Sequence, residues 1–149
     1  MAIARGAGTE IIRTIHLEDV DSTDRVLIFG VQHHIYTVLS VIANATALNA
    51  DTDFIVAYLT GYDSLEGTTA QTINIFKQDM SVGQTYVWND KFSFNGHEPT
   101  DFAGPMDDAT KQDAIADQGS SVAQKLQFTP DDSSSYYDVT ITYIDQNNS

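Results

Sequence analysis

Residues that could do chemistry are few in this chain, and most of them are acidic. Four histidines stand at His16, His33, His34 and His97. Neighbours on a strand point to opposite faces, so His33 and His34 do not chelate one ion and serve instead as the polar start of a strand. Asp19, Asp21 and Asp24 space their oxygens like a calcium loop, and so do Asn49, Asp51 and Asp53. The EF-hand form needs glycine at its sixth position, where Asp24 and Phe54 stand, so only an irregular oxygen-rich site would remain. The pairs Asp107–Asp108 and Asp131–Asp132 lie in polar stretches, where nothing would move their pKa values as acid–base catalysis requires. No G-x-S-x-G elbow and no phosphate-cradling glycine loop is present. A cupin-like metal site needs clustered histidines with a carboxylate, which four histidines, two of them adjacent, supply poorly. The chain is therefore expected to be no enzyme, with no catalytic residues, cofactor or metal. Asn44-Ala45-Thr46 matches a glycosylation sequon, which carries no weight without a secretion signal.

The aromatic set Tyr86, Trp88, Phe92 and Phe94 shares one strand parity. It could stack on sugars, but burying each ring is worth several kcal/mol, so a place in the core is expected.

Acidic residues outnumber basic ones 21 to 7, for a formal charge of −14. Such a surface repels nucleic acid and anionic membranes, so neither is expected as a partner. It suits solvation, a basic partner or a salty medium. There is no cysteine, which excludes disulfides and thiolate metal sites. No run approaches the ~20 apolar residues of a membrane-spanning helix. MAIARGAGTE contains no stretch resembling a secretion signal, so synthesis in the cytoplasm is expected.

The elements that would position any site are strands. Glu10–Leu17 alternates, with Ile11, Ile15 and Leu17 on one side and Arg13 among them. Arg25–Phe29 is short, apolar and stopped by Gly30. Gln32–Ile42, with its strand proper at His33–Ile42, has apolar residues on both faces: Ile35, Leu39 and Val41 against Tyr36, Val38 and Ile42. Both faces of that strand demand cover, from the opposite sheet, a long insertion or a neighbouring subunit. Phe54–Leu59 is likewise apolar on both faces. In Gln71–Gln78, Ile73 and Ile75 face away from Phe76. Thr85–Asn95 is either one bent strand or two broken at Asn89–Asp90. Ser121–Phe128 and Tyr136–Asp145 complete the set, the latter with Tyr137, Val139, Ile141 and Tyr143 inward. Ala43–Asp51 reads as a loop or helical turn, Thr60–Ala70 as a loop, and a turn falls at Gly83. A short helix is expected from about Asp107, an aspartate suited to capping it. The fold class is all-β: an antiparallel sandwich, jelly-roll-like, of eight or nine strands with a short helix in a long loop. Residues 1–8 form a flexible arm and 9–149 a single sandwich domain.

GTEII, HHIYTVLSVI, YVWNDKFSFNG and DVTITYIDQ occur in that order. Together they resemble small structural proteins of tailed bacteriophages, especially phages of marine and freshwater bacteria. The resemblance covers the strand framework, about half of the chain, and the loops Asn44–Ala70 and His97–Ser121 are longer than in that class. It implies a virion protein with no catalytic residues to carry over.

The expected function is a capsid decoration (cement) protein, a homotrimer that binds the major capsid protein and bridges its subunits on the shell. Ile3 and Arg5 of the arm and Ile35, Tyr36, Val38, Phe54 and Tyr58 of the doubly apolar strands are the expected contact residues. The alternative is a tail or fibre module that binds a host receptor or glycan.

Overall fold

Period-two alternation along the chain becomes eleven strands among the described residues of the computed structural model. The structure describes residues 9–21, 25–63, 68–99, 109 and 121–147. The strands are β1 Thr9–Val20, β2 Arg25–Phe29, β3 His34–Ala47, β4 Thr52–Asp63, β5 Thr68–Ser81, β6 Thr85–Trp88, β7 Phe92–Asn95, β8 His97–Pro99, β9 Ser121–Ala123, β10 Lys125–Pro130 and β11 Tyr136–Asn147. The first sheet runs β1-β11-β3, with β6 and β7 both paired along the far side of β3. The second runs β2-β10-β4-β5, and β8 pairs with β9 as a small third sheet. Every pairing is antiparallel. The two larger sheets form a sandwich around one core containing Val38, Val41, Ile55, Leu126, Phe128, Tyr137, Val139 and Ile141.

β11 is the most regular element. Tyr137, Val139, Ile141 and Tyr143 are buried, as the alternation dictates, and Asp145 continues the same inward parity. The phenol of Tyr137 crosses the sandwich to donate a 2.9 Å hydrogen bond to Asp53 on β4. Phe76 on β5 stacks on Trp88 at 5.9 Å, closing one edge.

The apparent double face of β3 has a geometric cause. Ile141, Val41 and Trp88 form one inward row across β11, β3 and β6. Tyr143, Val38 and Phe92 form the next, across β11, β3 and β7. Between these rows β11 has one intervening residue, Thr142; β3 has two, Leu39 and Ser40; the outer edge has three, Asn89 to Lys91. Each strand gains a residue toward the edge, which bends and coils the sheet as bulges do. The inward set on β3 therefore changes parity, from Tyr36 and Val38 to Val41, Ala43 and Ala45. Lys91 takes a positive φ of 58° where the edge strand breaks, so Thr85–Asn95 is two strands.

Similar slips occur elsewhere. Leu27 and Ile28 are both buried because Leu27 is skipped in the pairing of β2 with β10. Ile75 is skipped between β5 and β4, so Phe76 is buried, Ile75 is half-buried against the core and Ile73 stays exposed.

Three expectations are corrected. Ala43–Ala47 continues β3 instead of forming a loop or helical turn. Its alternation places Ala43 and Ala45 inside, beside the bulky partners Tyr86 and Tyr137, where small side chains fit. Much of Thr60–Ala70 is strand, since β4 extends to Asp63 and β5 begins at Thr68. His33 precedes β3 and holds a left-handed φ of 65° in a turn. The helix expected from about Asp107, the arm 1–8 and the pair Asp107–Asp108 lie outside the described residues.

Ser121–Phe128 is divided at Gln124, which links the sheets. Its N–H donates to the Gly96 carbonyl at 2.9 Å, and its carbonyl accepts from the Gly30 N–H at 2.8 Å. Backbones pass so closely here that a Cβ on Gly96 would lie 1.9 Å from the Val31 oxygen. One on Gly30 would lie 2.0 Å from the Gly96 oxygen, so only glycine fits either place.

Candidate functional site

The aromatic set faces inward. Tyr86, Phe76, Trp88, Phe92, Phe94 and Tyr36 follow one another at centroid distances of 5.3–5.9 Å, and Tyr143 adjoins Tyr36 at 6.0 Å. Trp88 and Phe94 are buried, so this run is core and offers no sugar-stacking face.

The run ends on a polar clamp of three strands. Asp145 on β11 is buried, and its Oδ1 lies 2.6 Å from His34 Nδ1 on β3. Its Oδ2 lies 3.5 Å from Arg13 Nε on β1. His34 stacks near Tyr36, whose phenol oxygen accepts the Val31 N–H at 3.1 Å. Burial, then the Asp145 charge, pushes the Tyr36 phenol up to about 12. An aspartate–imidazole pair could orient a base, but among the described residues no nucleophile bonds the other ring nitrogen of His34. What the arrangement does is fix β1, β11 and β3 at one end. Asp145 follows the alternation of its strand, but no local pattern marks Arg13 and His34 as converging on it. Nearby, desolvation lowers the His97 imidazole, with the His33 charge acting in the same direction and the Gly30 backbone opposing.

At the opposite end, Thr52, Asp53, Phe54, Asp79, Asp131 and Asp132 line an open cleft of about 380 Å³. Asp53 is turned inward to Tyr137. Asp132 is held below the ordinary carboxylate range by the Ser134 N–H and then the Asn49 amide. Among the described residues no three acidic or histidine side chains gather around one point as metal ligands would. Of the calcium-like set Asn49-Asp51-Asp53, Asn49 donates its side-chain amide to Asp132 and Asp53 turns inward to Tyr137, and Asp24 of the other loop lies outside the described residues.

The surfaces left for recognition are the two outer sheet faces. On the first sheet, the rows Ile12–Ile144–Thr37–Ser93 and His16–Thr140–Ile42–Val87 contain no carboxylate or basic chain apart from His16. Thr14 with Thr142, His16 with Thr140 and Thr37 with Ser93 bond across strands at 2.8–3.2 Å. Ile12 is 70% exposed and Val87 53%. On the second sheet, Lys77 Nζ sits 4.1 Å above the Phe54 ring and Lys125 Nζ 5.4 Å above Phe29. Phe29 is 59% exposed.

The expected contact residues divide accordingly. Ile35 lies on the first outer face, and Phe54 and Tyr58 are half-buried on the second. Tyr36 and Val38 are 3% and 0% exposed, within the core of their own chain, because the Leu39–Ser40 bulge turns their face inward. That removes both from the contact set. Ile3 and Arg5 lie outside the described residues.

No family model matches the chain, and no curated protein matches it. Among solved structures, a chain described with Bacillus endospore appendages forming disulfide-linked pili is 9% identical, with a TM-score of 0.43. That match covers 100% of this chain and 97% of the other. A chain of the infectious bursal disease virus Gx strain is 10% identical with a TM-score of 0.47, over 99% of this chain and 35% of its own. The Yersinia pseudotuberculosis-derived mitogen is 11% identical with a TM-score of 0.34, covering 90% of this chain and 86% of its own. At these TM-scores the likenesses assign no function.

Proposed function

We propose that this protein is a structural subunit of a phage virion, a decoration (cement) protein that binds the outer capsid shell and bridges its major capsid protein subunits. It acts as a homotrimer and catalyses no reaction. The observation that carries the reading is apolar surface left on the outside of a well-packed sandwich. Ile12, Val87 and Phe29 stand exposed on regular strands of both sheets, the kind of surface that association covers. The phage assignment rests on the strand-framework resemblance. The receptor-binding alternative loses its aromatic motive, because Trp88 and Phe94 are interior.

Copy number in purified particles tests the reading. Hundreds of copies per particle are expected, and a dozen or fewer would assign the protein to the tail. Deleting Met1–Gly8 should abolish binding to undecorated capsids, and unchanged binding would remove the arm from the mechanism.

A further inference from the structure

The outer face of the β2-β10-β4-β5 sheet is polarised along β10. Lys125, Gln127 and Thr129 point outward, while Leu126 and Phe128 are buried. At one end Lys125 covers Phe29, its register partner on β2. At the other, Asp131 is exposed and faces the cleft with Asp79, and its N–H bonds the Phe54 carbonyl at 2.9 Å. Between them Val26, Gln127, Thr129 and Val56 form a middle uncharged across β2, β10 and β4, with Lys77 beside Val56 on β5 held over the Phe54 ring. Lys125 and Asp131 are six positions apart on an extended chain, about 20 Å, so they cannot pair within one molecule. Among the described residues no carboxylate lies within ion-pairing distance of Lys125.

These positions are symmetric about Phe128. A two-fold axis across the strands at that point would lay Lys125 of one molecule against Asp131 of another, twice, with the uncharged middles together. We propose that this face is a self-complementary, isologous contact between two copies of the chain. Charge complementarity selects a second copy: in a chain of net charge −14 a cation is scarce, and here one, half-buried over Phe29, lies in register with its own mirror-related carboxylate. This pairing goes beyond the capsid reading and does not depend on it, because the purified protein alone can show it.

The test is the mass in solution, by sedimentation or light scattering, of wild type, Lys125→Glu and Asp131→Lys. Each variant should have half the mass of wild type, a trimer where wild type is two trimers joined through this face or a monomer where it is a dimer, with unchanged circular dichroism. Mixing the two variants in equal amounts should restore the full mass, since one contact is then native and the other reversed in sign. Wild type with the same mass as either variant would overturn the proposal, and so would a mixture that stays at the variants' mass. If Lys125→Glu loses capsid binding while wild type shows no self-association, the face docks on the shell and the two-fold contact is refuted.

Discussion

Deleting Leu39 tests the account of β3 directly. With Leu39 gone, β3 has one residue instead of two between the rows Ile141–Val41–Trp88 and Tyr143–Val38–Phe92. One half of the strand must then turn over. The cheaper slip exposes Val41, Ala43 and Ala45, now buried, and costs about 2 kcal/mol for the valine and ~0.8 kcal/mol for each alanine methyl. It also turns Asn44 inward and away from Thr85, its partner at 2.7 Å, leaving an unsatisfied amide at about 2 kcal/mol. The loss comes to about 5–6 kcal/mol, against a total of roughly 5–15 kcal/mol for a domain. Urea unfolding can be followed by the fluorescence of Trp88, the single tryptophan, which lies in a row next to the bulge. The midpoint should fall on the order of 2–3 M. Leu39→Ala keeps the residue count and should cost only about 1 kcal/mol. A deletion variant that unfolds no earlier than Leu39→Ala would refute the bulge as the cause of the parity change.

Three further outcomes follow from the packing. Gly96→Ala should destabilise by about 4 kcal/mol or more in a thermal melt, because its Cβ would strike the Val31 backbone at 1.9 Å; a melting temperature near that of wild type would contradict this close approach. Tyr137→Phe removes the phenol that donates to buried Asp53 and should cost about 1–3 kcal/mol in urea unfolding, with the spectrum of the native state unchanged. Alkali should weaken the fold. Burial raises the phenols of Tyr36, to about 12, and of Tyr137 and Tyr143, so these groups stay protonated in the fold after the unfolded chain has begun to ionise. Their stabilisation is present in full below about pH 10 and is lost as pH rises through the folded-state values. Urea midpoints should fall above about pH 10 while absorbance shows a late-titrating set of tyrosines, and a midpoint independent of pH in that range would count against the buried phenols.

How much could be read in advance differs from strand to strand. Tyr136–Asp145 alternates without interruption, and its inward and outward residues follow from that alone. The core place of Trp88 and Phe94 follows from their shared parity and the size of their rings. The turn at Gly83 carries the positive φ, 80°, that glycine permits. By contrast Ala43–Ala47 looked ambiguous because alanine suits helices, and only the tyrosines on β6 and β11 explain why small residues occupy that strand. The clamp at Asp145 was hidden because Arg13, His34 and Asp145 are distant in sequence and meet through pairing of β1, β11 and β3.

The sequence alone determined an all-β antiparallel chain, its strong negative charge, the exclusion of thiol chemistry and the identity of most core residues, since composition and period-two alternation are local properties. The tertiary structure decided which face of each strand is inside. Alternation fixes sides only relative to a neighbour, and an extra residue demanded by sheet coiling reverses every side beyond it. At Leu39 that reversal made a strand buried on one face look apolar on two.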